Sequence, residues 1–126
     1  MDRLVDGDPG PIKALCSHRS DVTAFLGWGA YEKGWADVAA RWDWAASQFK
    51  GGEPVVYESL TTVVADGLAY ATAIETIRVR LDGMDHPVAW SNRVTHVFRR
   101  EDGEWRLVHR HANRLEGRYP PSSRLG

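Results

Sequence analysis

The segment Arg93 to Asn113, RVTHVFRREDGEWRLVHRHAN, constrains the chain most, because two β-rich runs flank Glu101-Asp102-Gly103 and so predict an antiparallel hairpin. Gly103 suits the left-handed position that closes a three-residue loop. That register sets Arg100 opposite Glu104, Val97 opposite Leu107, Thr95 opposite His109 and Arg93 opposite His111. Side chains alternate across a strand, so one face is expected to carry Arg93, Thr95, His109, His111 and Asn113 at one end, with Val97, Leu107 and Trp105 at the other. The opposite face then holds Val94, His96 and Phe98 against Arg106, Val108 and Arg110. A two-residue turn at Asp102-Gly103 would instead shift the pairing by one and bring His96 among the other two histidines, so register decides the site. The polar end of the first face reads either as a solvated sheet surface or as groups converging on a cavity, and the remaining chain has to supply the lid.

Upstream, Asp8-Pro9-Gly10-Pro11 marks a turn, and Pro11 suits the first position of a short helix reaching Cys16. A brief strand, Val22 to Leu26, precedes a segment broken by Gly27, Gly29 and Gly34, whose interleaved Trp28 and Tyr31 suit the mouth of a cleft. Trp35, Val38, Ala39, Trp42, Ala45, Ala46 and Phe49 recur at helical spacing and predict an amphipathic helix from Trp35 to about Lys50, ended by Gly51-Gly52. The rest is β: Val55 to Ala65, Leu68 to Leu81, Val88 to Arg100 and Glu104 to Asn113, a four-stranded antiparallel meander. Ala69, Ala71 and Ala73 line one face of the second of these strands and leave room above it. Glu75 shares that face, where it either lies near the exposed strand end or is buried and needs a partner, for which Arg93 on the neighbouring strand is the natural choice if the turn at Asp82 has the right length.

A chain of 126 residues is long enough for one domain with a real core, here residues 1–113, followed by a flexible tail over 114–126 that contains Pro120-Pro121. A net charge of −1 and a pI near 6.5 argue against a nucleic-acid partner, since no basic cluster is present to face phosphates. No apolar run approaches the roughly 20 residues that span a bilayer, and no apolar leader opens the chain, so no membrane partner and a soluble, cytoplasmic protein are expected. The single Cys16 allows no internal disulfide and reads as a small buried hydrophobe.

Four segments in order, GDPGPIKALCSHRSDVT, GAYEKGWADV, DGLAYATAIE and the hairpin itself, resemble the SnoaL-like, nuclear transport factor 2-like proteins. The resemblance runs from about Gly7 to Asn113 and implies an α+β cone: a strongly curved antiparallel sheet packed against a long helix and shorter N-terminal helices, around a deep pocket. It also implies chemistry on small apolar or aromatic molecules, without metal or organic cofactor, in isomerases, cyclases, dehydratases and lyases, or ligand binding alone. Leu26 or Gly27 stands where isomerases of the group carry a catalytic aspartate, which argues against a steroid isomerase mechanism. Only about ten residues precede Pro11, so the first helix is truncated, and that side of the pocket is either open or covered by a partner subunit or the C-terminal tail.

On the enzyme reading, His111 is the general base or acid, His109 the second proton carrier, Arg93 the oxyanion stabiliser and Glu75 the group that orients them. Asn113, Thr95, Asp21, Trp28, Tyr31 and Trp42 are the accompanying ligand-binding candidates, although an aspartate at Asp21 also suits a turn and the tryptophan ladder also suits a core. His109 and His111 share a strand face, but two firm ligands fall short of a metal site. The alternative is a non-catalytic binding or dimerisation module, and Val94, Phe98 and Val108 on the face away from the pocket suggest a homodimer.

Overall fold

The computed structural model describes residues 1–124. A 3-10 turn, Leu4–Asp6, leads into α1 (Gly10–Leu15), β1 (Thr23–Phe25), β2 (Tyr31–Lys33), the long α2 (Trp35–Gln48) and a two-residue β3 (Phe49–Lys50). The meander follows as β4 (Val56–Val64), β5 (Leu68–Leu81), β6 (Val88–Glu101) and β7 (Glu104–Leu115). In the sheet, β7 lies between β1 and β6, β2 pairs with β1, and β4 and β3 both pair with β5. All pairs are antiparallel except β1 with β7, because the chain re-enters the sheet from the helical side to run beside its last strand. The sheet curls round α2, whose buried stripe is Val38, Trp42, Ala45 and Ala46. Ile77, Val79 and Leu107 meet that stripe from the sheet, with Val22, Ala24 and Leu26 closing one side. This is the α+β cone that the sequence resemblance implies.

One end of the core is closed by residues that precede α1. Leu4 and Val5 are fully buried, and Val5 accepts a backbone hydrogen bond from Gly52 at 3.1 Å. They pack against α2, β3 and β5. Cys16 is buried, as expected of a small hydrophobe. Of the expected tail, Arg114 and Leu115 belong to β7, residues 116–124 form neither helix nor strand, and residues 125–126 lie outside the described residues. No helix among the described residues is long and apolar enough to cross a membrane.

The hairpin register differs from the one expected. Asp102 and Gly103 both have positive φ, 52° and 81°, so β6 and β7 join through a two-residue turn with Glu101 opposite Glu104. The register then slips once more, between Phe98↔Leu107 and Val97↔His109, leaving Val108 as a bulge. Beyond the bulge Thr95 pairs with His111 and Arg93 with Asn113, two places from the expected partners. The parity is therefore unchanged: Arg93, Thr95, His109, His111 and Asn113 do share a face. That face is the outer one. Val94, Ala112 and Leu107 are buried on the other side, so the core lies against the face that carries His96 and Arg110.

Candidate functional site

The alanine face of β5 is the inner face, and Glu75 on it is completely buried. Its register neighbour on β6 is Asn92, while Arg93 is paired with Ile74 and points outward, so the expected Glu75–Arg93 contact does not form. Curvature of the sheet instead brings Arg110 across from β7. Its Nη2 and Nη1 donate to the two Glu75 oxygens at 2.8 and 3.0 Å, a two-pronged pair with both side chains almost fully buried. The Tyr57 hydroxyl donates to Glu75 at 2.8 Å and the Asn92 amide at 3.2 Å. Burial alone would raise the Glu75 pKa, but the Arg110 guanidinium and these donors hold it down at about 2.

His96 completes the network from β6, with its Nε2 2.8 Å from Arg110 Nη1. Because a guanidinium can only donate, Nε2 must accept, and the ring proton resides on Nδ1. Burial, then the charge of Arg110, push His96 down to about 4, so the ring is neutral at physiological pH. Burial, then Glu75, push the Tyr57 pKa up, so that residue stays a phenol.

Two spaces flank this network. On one side an open hollow of about 290 Å³ lies between α1 and the sheet, lined by Ile12, Leu15, Tyr57, His96, Phe98 and Leu107. On the other, a closed chamber of about 20 Å³ is walled by Trp28, Trp42, Phe49 and Trp90, with Asn92 and Arg110 also on its wall. A surface groove of about 280 Å³ bounded by Lys50, Glu53, Arg78 and Arg80 holds a solvated Arg78–Glu53 pair and none of these groups.

The other expected site residues lie elsewhere. Arg93, Thr95, His111 and Asn113 meet in an open depression of about 210 Å³ on the outer face, beside Leu60 and Ile74. His109 is on that face too, with Nδ1 2.7 Å from the Thr23 hydroxyl, and the Phe25 ring stands edge-on to both His109 and His111 at 5.0 and 5.1 Å. These two histidines and Arg93 therefore cannot act with Glu75, which lies across the thickness of the sheet. Asp21 is bound to Arg99 at 2.7 and 3.0 Å, in a cluster with Glu101 and Ser17 that fastens the hairpin to the loop before β1. Tyr31 is 75% exposed and packs on Phe25, away from both inner spaces. Trp28 and Trp42 do line an inner space, the closed chamber. Among the described residues, no three His, Cys, Asp or Glu side chains gather as a metal-binding group.

Arg110, Tyr57 and Asn92 are the inner residues that the sequence does not single out; His96, expected in the site with a two-residue turn, is inner but stands on the face opposite His109 and His111. The available signal was Glu75 itself: a carboxylate on an alanine face demands a cation on the same face, and Arg110 is the β7 arginine that the bulge turns inward.

The sequence profile of the SnoaL-like domain matches residues 10–113, most of the chain. The chain belongs to the SnoaL-like domain family. Solved relatives of this SnoaL-like domain agree in fold. A nuclear transport factor 2-like superfamily protein from Salmonella enterica superposes with a TM-score of 0.80 at 16% identity, covering 98% of this chain and 89% of that one. A protein from Novosphingobium aromaticivorans, provisionally named a scytalone dehydratase, gives 0.75 at 12% identity over 90% and 76% of the two chains. A Xanthomonas campestris protein, provisionally named a calcium/calmodulin-dependent protein kinase II association domain, gives 0.74 at 15% identity over 90% and 78%. At these identities the likeness shows the fold alone. No curated protein matches the chain.

Proposed function

We propose that this SnoaL-like domain is a small-molecule pocket protein that works by cofactor-independent acid–base chemistry on a small apolar or aromatic substrate, and that its working histidine is His96. The carrying observation is the Arg110-pinned, neutral His96 on the wall of the 290 Å³ hollow. With Nε2 occupied, the His96 Nδ1–H makes no hydrogen bond to any described residue and is free to donate to a substrate oxygen. A fixed donor in a partly apolar hollow polarises a carbonyl and stabilises the charge that develops on its oxygen, while solvent water in the open hollow takes the proton that leaves the neighbouring carbon. Ile12, Leu15, Phe98 and Leu107 supply the apolar walls. The dehydratase name of one structural relative is consistent with such a step.

A second reading, ligand binding without turnover, draws on the same geometry. Neither His96, held near 4, nor Tyr57, held a phenol, is poised to accept a proton near neutral pH. One experiment separates the readings. Small aromatic and polyketide-like ketones are screened by thermal shift against the wild type and His96→Gln, and binders are then followed by NMR for solvent deuterium exchange at the carbon beside the carbonyl. Catalysed exchange that His96→Gln abolishes supports the enzyme. Binding without exchange supports the binder, and binding indifferent to His96→Gln sinks both.

The proposal includes a homodimer formed through the outer face. Of Val94, Phe98 and Val108, from which a homodimer is expected, the first two face inward and the third is the bulge residue of β7, so they do not form the outer surface. The support comes instead from the exposed Phe25, Tyr31, Leu60 and Tyr70.

A further inference from the structure

Three buried polar atoms of residues lining the closed chamber have no hydrogen-bond partner among the described residues: Trp42 Nε1, which lies against the Cys16 thiol, and the two that matter here, Asn92 Oδ1 and Arg110 Nε. Glu75 explains why. Asn92 uses its amide nitrogen, and Arg110 its two terminal nitrogens, on the Glu75 carboxylate and His96, which leaves one acceptor and one N–H donor turned away from that network. Such groups cost stability unless something satisfies them. The space beside them, about 20 Å³, fits a single water.

The chamber is closed by Trp28. Its indole lies 5.7 Å from the Phe49 ring and 6.0 Å from Trp90, yet the residue is 45% exposed, so it stands as a stopper between the aromatic walls and solvent. Glycines flank it. Gly29 has φ +87° with open space round it, and Gly27 comes so close to Asn92 that a Cβ there would sit 3.0 Å from Oδ1. A glycine-flanked stopper can swing out with little steric resistance. The space that it vacates borders the Phe49 and Trp90 rings, which touch each other at 6.2 Å, and the side chains of Asn92 and Arg110.

We propose that Trp28 gates a second binding site, independent of the His96 hollow, which takes a small flat cyclic amide in place of the indole. Its carbonyl accepts from Arg110 Nε–H and its ring N–H donates to Asn92 Oδ1. The charge balance selects against ions: Glu75 already neutralises Arg110, a carboxylate would meet the lone pairs of Asn92, and an ammonium would meet the guanidinium. A neutral cis-amide edge is the simplest group that satisfies both at once, and a planar ring suits the walls of Phe49 and Trp90.

The test uses the full chain, tryptophan fluorescence and thermal shift, with 2-quinolone as the probe and N-methyl-2-quinolone, which lacks the donor, as the control. Expected are saturable quenching with a raised melting temperature for 2-quinolone, and at least tenfold weaker binding of the N-methyl compound. Trp28→Gly should bind 2-quinolone more tightly, because the stopper is gone. Gly27→Ala, which places a methyl against the Asn92 oxygen without removing any hydrogen bond, should abolish binding. Asn92→Leu should lose the preference over the N-methyl compound, and if that variant does not fold, the loss of binding in Gly27→Ala tests the same oxygen. Equal binding of the two quinolones, or no binding even to Trp28→Gly, overturns the proposal and leaves the two groups holding a structural water only.

Discussion

Glu75 cannot be ionised at zero exposure without Arg110, and the pair is worth far more as a pair than either member is alone. Removing one partner of a buried ion pair strands the other charge, typically at a cost of about 3–5 kcal/mol. Arg110→Met is expected to lose that much in urea unfolding, and Glu75→Leu combined with Arg110→Met should recover a good part of it. If the double variant is as unstable as Arg110→Met, the cost lies in packing and not in the stranded carboxylate. The same network sets the acid response. His96 is depressed from an ordinary 6.5 to about 4, so the unfolded chain takes up that proton first as pH falls. Its contribution is complete above pH 6.5 and withdrawn down to about 4. Glu75, depressed from 4.5 to about 2, loses its contribution in the next window down. Each pKa unit is about 1.4 kcal/mol, so the His96 part amounts to about 3 kcal/mol at most. His109 is also lowered, by burial and then by His111, and adds the same sign. Melting temperature should begin to fall below pH 8, where the Met1 amine, lowered by burial, adds the same sign, and fall more steeply below 6.5; His96→Gln should remove the steeper part between 6.5 and 4 except for what His109 contributes. A His96→Gln profile superimposable on the wild type would refute the buried, neutral ring.

At the scale of elements, the 3-10 turn before α1 packs against α2 and β3, and Gly52 is where that packing is tightest. A Cβ at Gly52 would stand 2.5 Å from both the Val5 Cβ and its carbonyl oxygen, and the oxygen is already engaged by the Gly52 N–H. Gly52→Ala should therefore push the 3-10 turn off the core and cost about 1–3 kcal/mol in thermal or urea unfolding. Gly51→Ala, with φ +58° but open space around it, should cost about 1 kcal/mol from backbone strain alone. Equal losses would mean that Val5 is not wedged there. How far such details can be read from sequence depends on how local they are. The period of Trp35, Val38, Trp42 and Ala45 and the alternation in β5 are local, and both elements form where the residues predict them. The alanine face was legible as the inner face, and Glu75 with it. The inward side of β6 and β7 was not, because each face of the hairpin carries apolar residues at one end and charge at the other. A single bulge at Val108 then puts Leu107 and His109 on opposite faces although they are two residues apart. The pairing Glu75–Arg110 spans two strands of a curled sheet, and no sequence spacing encodes it.

On the whole molecule, curvature sorts the residues into an inner face that closes on the core and an outer face that has no cover. A row Thr61, Thr72, Thr95, His111 and Phe25 crosses five strands on the outer face, flanked by Tyr70, Leu60 and Ile74, and Arg93 is the charged residue of the adjoining depression. β4 is exposed along its whole length and pairs with β5 on one side only. A long, half-apolar surface and a free sheet edge on a chain with net charge −1 would favour association unless something covers them. The row has threonines on β4, β5 and β6 and rings on β7 and β1, so a twofold axis through Thr95 would set the rings of each copy against the threonines of the other. A stable contact asks for about 800 Å² from each copy, which a five-strand face can provide. The expected outcome in sedimentation equilibrium is a dimer at micromolar concentration, with Thr95→Arg, a bulky charge at the centre of the row, sedimenting as a monomer that still melts cooperatively. A wild type that stays monomeric at high concentration would remove the dimer altogether. A Thr95→Arg protein that stays dimeric would move the contact to the free edge of β4, where Val56, Leu60 and Val64 are the exposed apolar residues.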